Sequence, residues 1–124
     1  MALTTTALTI DQGADYVHEW QWIAEDDEGV QTPRDLTDWI GRMHVREAMS
    51  SLSTLTEAHT DGNAEGLITL NDDGVVRVEF PHSVSTAWTW GSGVYDIELI
   101  DPDGGVTRFT EGRITVRREV TRGT

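Results

Sequence analysis

The feature that most restricts the fold is a period-two alternation of large apolar residues, repeated in short segments along the chain. Tyr16, His18, Trp20, Trp22 and Ala24 share one face, with Val17, Glu19, Gln21 and Ile23 on the other. Successive side chains of a strand point to opposite faces and aromatic residues suit that surface, so the spacing predicts a strand from Tyr16 to Ala24. Asp26-Asp27-Glu28-Gly29 ends it as an acidic turn. Pro33 puts the next stretch in a loop or on a sheet edge, because proline has no amide hydrogen for an interior ladder. Alternation resumes with Trp39, Gly41, Met43 and Val45 set against Ile40, Arg42, His44 and Arg46. Glu47 to Leu55 mixes helical spacing with serine and threonine and reads as a loop leading into a short strand.

Two hairpins follow from their turn residues. Leu67 to Leu70 and Val75 to Phe80 flank Asn71-Asp72-Asp73-Gly74, and Val94 to Ile100 and Val106 to Thr110 flank Asp101-Pro102-Asp103-Gly104-Gly105. A last alternating strand runs through Ile114, Val116, Arg118 and Val120. Only His82 to Trp90 breaks the pattern: Ser83 or Ser85 can cap a single helical turn, which Gly91-Ser92-Gly93 stops. About eight short strands at a spacing of about ten residues, with one helical turn, describe an all-β sandwich or barrel. No repeat or linker divides the chain, so residues 1–124 read as a single domain.

With 124 residues, 37% of them hydrophobic, such a domain can form a core without staples. The absence of cysteine removes disulfides, thiolate zinc sites and cysteine nucleophiles. Twenty-two acidic residues face nine basic ones, all arginine, for a formal charge of −13. A field this negative repels phosphate backbones and anionic membrane surfaces, so neither nucleic acid nor a membrane is an expected partner. No apolar run is long enough for a membrane helix, and Met1 to Ile10 lacks the cationic start of a secretory signal. The missing lysine fits either a high-salt cytoplasm, where self-repulsion is screened, or a GC-rich genome that favours arginine codons.

His18, His44, His59 and His82 never fall at the spacing that places two ligands on one element, and no metal is expected from them. The acidic clusters lack the bidentate glutamate of a calcium loop and are explained by turn chemistry. No nucleophile elbow, phosphate-cradling loop or zinc-protease motif is present, so no enzyme and no cofactor are expected. Trp20, Trp22 and Trp39 read as core. Trp88 and Trp90, beside a glycine loop, read equally as core or as anchors for a protein or a sugar ring.

Several short motifs occur in a familiar order. They are Gly13-Ala14-Asp15-Tyr16, Asp35-Leu36-Thr37-Asp38-Trp39, Gly66-Leu67-Ile68-Thr69-Leu70, Thr86-Ala87-Trp88-Thr89-Trp90-Gly91, Gly93-Val94-Tyr95-Asp96-Ile97-Glu98, and Gly112-Arg113-Ile114-Thr115-Val116 running to Val120-Thr121-Arg122. In this order, after a Thr-rich opening strand, the chain resembles small tailed-phage virion proteins similar to the N-terminal domain of baseplate upper proteins and tail-fibre adaptors. Asp38 stands where that group usually has glycine. A positive φ there is one that aspartate tolerates better than most residues. Asp35 and Thr37 can fix the turn that aims Trp39 inward, and a half-buried Asp96 needs a partner such as Arg42, Arg46 or Arg113.

The resemblance implies a single immunoglobulin-like β-sandwich, a structural virion protein placed in the viral tail, baseplate or fibre-attachment region. Its partners would be tail tube, baseplate or fibre proteins and further copies of itself in a cyclic homo-oligomer. The interface expected is the Met1–Ile10 edge strand, through Thr4, Thr5, Thr6, Leu8 and Ile10, together with Trp88 and Trp90. The alternatives are a glycan-binding or host-adhesion module, with Trp88 or Trp90 stacking on the sugar, and a head decoration protein.

Overall fold

The chain reverses where its Asp, Asn and Gly residues predict. The computed structural model describes residues 2–118. Asp26, Asn71 and Asp101 each open a hairpin turn of one design. The side-chain Oδ1 accepts the amide hydrogens of the residues two and four positions on, at 2.9–3.0 Å. Each turn then passes through a glycine at φ of 76 to 91°, a region that a Cβ disfavours.

These turns and the intervening loops separate eleven strands among the described residues: β1 (Thr4–Thr5), β2 (Leu8–Asp11), β3 (Tyr16–Gln21), β4 (Ile23–Glu25), β5 (Gln31–Pro33), β6 (Ile40–Arg46), β7 (Thr56–His59), β8 (Gly66–Leu70), β9 (Val75–Phe80), β10 (Ser92–Ile100) and β11 (Val106–Arg117). One helical turn, α1 (His82–Ser85), lies between β9 and β10. The fold is all-β. Nine strands form one mixed sheet in the order β1-β11-β10-β6-β7-β8-β9-β3, with β2 also on β11, and β4 pairs β5 separately. Pairing is antiparallel except where β1 and β2 run parallel to β11 and β7 runs parallel to β8.

The sheet curls until its two ends meet. Trp20 of β3 lies 6.1 Å from Phe109 of β11, edge to face, and its Nε1 donates to Thr6 Oγ1 at 3.1 Å. The concave side carries the alternating apolar set: Met43 and Val45, Val76, Val78 and Phe80, Ile97 and Leu99, Ile114 and Val116, closed by Leu8 and Ile10. The Asp35 turn forms as expected, with Thr37 N and Oγ1 donating to Asp35 Oδ1 at 2.9 and 2.6 Å. Asp38 holds φ at 67°. Leu36 is the fully buried anchor of this turn, while Trp39 is half-buried and packs edge-on against Trp22 at 5.7 Å.

Three sequence expectations need correction. The strand expected from Tyr16 to Ala24 breaks at Trp22, because β9 ends its pairing with β3 at Val75 and the chain passes to the small sheet. There Trp22 donates its amide to Gly74 O and accepts from Arg34 N, both at 2.8 Å. The strands expected at Val106–Thr110 and from Ile114 are one, β11, which ends at Arg117 short of Arg118, while Val120 lies outside the described residues. Thr110 pairs with Ile97 and Arg108 with Glu98, leaving Phe109 as the extra residue of a bulge, and Phe109 and Thr110 are both buried. Neither Ser83 nor Ser85 caps α1. Pro81 is the N-cap, Asp15 Oδ1 takes the His82 amide at 2.8 Å, and Ser85 Oγ accepts from Gly13 N at 2.9 Å. Among the described residues no helix is long and apolar enough to cross a membrane.

Candidate interaction surface

Strand register sorts the outer side chains of β7, β6, β10 and β11 into cross-strand rows. His59, Arg42, Glu98 and Arg108 form one row, and Glu57, His44, Asp96 and Glu111 the next. Arg46 and Arg113 flank Val94 in a third. Opposite charges therefore meet across and along the sheet: Arg42 reaches Glu98 at 2.9 Å, and Arg108 reaches Asp96 at 3.6 Å and Glu111 at 3.8 Å. Asp96 is half-buried as expected, but its partner is Arg108 and not Arg42, Arg46 or Arg113. Burial pushes its carboxyl above the usual aspartate range, outweighing the attraction of Arg108.

Between the second and third rows lies an open groove of about 620 Å³. Its walls include Thr5 and Ala7 of the N-terminal segment, Val94 and Asp96 of β10, and Arg108, Glu111 and Arg113 of β11. His44, Arg46 and Met49 line it as well. Three arginines against two carboxylates make this groove the reverse of the molecule, in which nine arginines face 22 acidic residues. Arg46 donates to Ser51 O at 3.1 Å, and neither it nor Arg113 has a carboxylate partner among the described residues.

The loop between β6 and β7 stands beside the groove. On it Met49 is 87% and Leu52 99% exposed, a costly presentation of two large apolar side chains to water. In the sequence the two sit at helical spacing within a serine- and threonine-rich stretch that reads as a loop, and nothing there marks them as exposed.

The N-terminal segment forms the other wall and one end of the sheet order. Thr4 and Thr5 are exposed and Thr6 is half-buried; Leu8 and Ile10 point into the core, so they present only backbone to an outside strand. The segment is held by Tyr95, whose hydroxyl donates to Thr6 O at 2.5 Å. Gly112 opposite has no side chain because a Cβ there would collide with the Thr6 carbonyl. Trp88 is placed elsewhere, 6% exposed in the core, edge-on to Phe80 at 5.3 Å and donating its Nε1 to Glu65 at 3.2 Å. Trp90 packs half-buried against it at 4.8 Å. The structure thus joins Thr5 to the groove and removes Trp88 from it. Comparison with known proteins finds no matching family model and no matching curated protein.

Proposed function

We propose that the chain is a structural virion protein of a tailed virus, an immunoglobulin-like β-sandwich that serves as an assembly adaptor in the tail, baseplate or fibre-attachment region. The observation that carries this reading is one continuous surface: a strand edge with no further backbone partner among the described residues, an arginine-bearing groove, and a loop that holds Met49 and Leu52 in water. An edge strand offers backbone hydrogen bonds to a neighbour. Burying the two side chains supplies about 1.5–3 kcal/mol each. The arginines suit a carboxylate-rich partner, and in a ring the acidic surface of each copy meets that description for the next. Repetition around a ring lets modest contacts hold firmly. Trp88 lies in the core, which takes it out of both the expected interface and sugar stacking and leaves Trp90 alone of the pair for either.

The test is quantitative peptide mass spectrometry on purified particles, normalised to the major capsid protein. A few to a few dozen copies support a tail or baseplate adaptor, and hundreds move the protein to the head surface. Absence from intact particles overturns the proposal. A Met49→Ser/Leu52→Ser variant should fold as stably as the parent yet be depleted from particles, and equal incorporation removes the loop from the interface.

A further inference from the structure

Beside the groove, the pairing of β6 with β7 assembles a cluster that no sequence spacing announces. His44 stands directly opposite Glu57, and His59 follows two residues on along the same outer face. Glu57 Oε1 lies 2.8 Å from His59 Nε2 and 3.7 Å from His44 Nε2, and the imidazole rings are 5.9 Å apart. One donor atom from each residue falls within 4.8 Å of the other two. Donors on a tetrahedral zinc ion, with bonds of about 2.0–2.1 Å, sit about 3.4 Å apart, so the widest pair must close by about 1.4 Å at most. Small rotations of three half-exposed side chains cover that distance. The geometry points to a binding site for a divalent transition ion of the zinc class, held by His44, Glu57 and His59 and open toward solvent at its remaining position.

Ligand chemistry selects the class. Two imidazoles with one carboxylate suit borderline ions, whereas calcium and magnesium require shells made mostly of oxygen. The carboxylate is already oriented: Thr54 Oγ1 donates to Glu57 Oε2 at 2.8 Å and leaves Oε1 to the histidines. Neighbouring charges are answered elsewhere, Arg42 by Glu98 and Asp96 by Arg108. A chain of formal charge −13 also concentrates divalent cations at its surface.

One contact opposes the ion. Arg46 Nη2 lies 3.2 Å from His44 Nδ1, and because a guanidinium only donates, neutral His44 keeps its proton on Nε2. Metal on Nε2 requires that proton to sit on Nδ1 and Arg46 to turn away. His59, which faces Glu57 through Nε2, makes the same tautomer change.

Titration of the full chain with zinc chloride in a non-chelating buffer near pH 7.5 tests the site, by calorimetry and by nitrogen-15 spectra of the histidine rings. The expected result is one ion per chain, movement of both rings to the Nδ1–H tautomer, and no response to calcium or magnesium. Glu57→Gln and His59→Asn should each weaken binding at least ~10-fold. Their melting temperatures without zinc should stay close to the parent's, which separates lost ligation from lost folding. Arg46→Gln, whose amide oxygen can accept from Nδ1–H, should bind more tightly. No binding at millimolar zinc, or unchanged binding in a His44→Asn/His59→Asn variant, overturns the site. Weaker binding by Arg46→Gln overturns the choice of His44 Nε2 as ligand.

Discussion

Gly66 opens β8, and its replacement by alanine tests how the core is closed. A Cβ built there lies 2.5 Å from Phe80 Cε1 and 2.8 Å from Cδ1 and Cζ, against about 3.5–4.0 Å for relaxed carbon contacts. The ring must therefore retreat by about 1 Å. It has nowhere to go, being fully buried and set edge-on to Trp88, itself tied to Glu65. The backbone at Gly66 is not left-handed, so alanine is otherwise suited to the strand, and the steric term decides the sign. Overpacking of a well-filled core costs about 1–3 kcal/mol. With so little freedom at Phe80, Gly66→Ala should cost about 2–3 kcal/mol, and the melting temperature should fall by about 10 °C. The assay is urea denaturation followed by tryptophan fluorescence, with the slope of the transition unchanged. Gly91→Ala, where nothing lies within 4 Å of the new Cβ, is the control and should move stability by no more than about 0.5 kcal/mol. Phe80→Leu should recover at least about 1 kcal/mol in the Gly66→Ala background relative to its cost in the parent. Equal stabilities for Gly66→Ala and Gly91→Ala, or a Phe80→Leu cost identical in both backgrounds, would refute the reasoning.

Other perturbations probe the edge strand, the tryptophan pair and the outer face. Tyr95→Phe removes the donor to Thr6 O and should cost about 1–2 kcal/mol, with faster amide exchange in β1 and β2 than in β9. Trp90 Nε1 is buried with no hydrogen-bond partner among the described residues, so Trp90→Phe should stay within about 1 kcal/mol of the parent. Trp88→Phe, which also loses the bond to Glu65, should cost about 1–3 kcal/mol by the same denaturation assay. The Asp96 carboxyl is raised in the fold, so its favourable contribution is present below the ordinary aspartate pKa of 3.8 and is lost as pH rises through the folded value. Asp96→Asn should therefore be the more stable protein at pH 7, with the advantage vanishing in acid, and urea midpoints across that range measure it.

Local chemistry was legible wherever a residue acts on its own neighbours. The turns at Asp26, Asn71 and Asp101 depend on side-chain oxygens and glycines within five residues, and Asp35 with Thr37 works the same way. The inward set of β6, Gly41, Met43 and Val45, follows from alternation alone. Reading failed where an element's fate depends on what lies opposite. Trp22 continues a perfect alternation, yet the strand breaks there because its partner β9 has run out. Phe109 starts no new strand, but the pairing of β10 with β11 leaves it over as a bulge and reverses the phase from Thr110 onward. Sequence periodicity carries no record of the partner strand, so neither event leaves a local mark.

The candidate surface divides along the same line. Threonine content and the lack of charge marked the N-terminal segment as an edge, and the fold puts it at one end of the sheet. That Leu8 and Ile10 turn inward, that Arg46 and Arg113 face each other across Val94, and that His44 meets Glu57 and His59 are consequences of register between strands distant in the chain. By itself the sequence determined an all-β domain, its principal turns and an acidic surface, because propensity, alternation and charge are properties of residues and their immediate neighbours. Tertiary structure alone decided which side chains share a face across strands, because register is chosen by burying one whole apolar face at once, and the outer rows are carried into place with it.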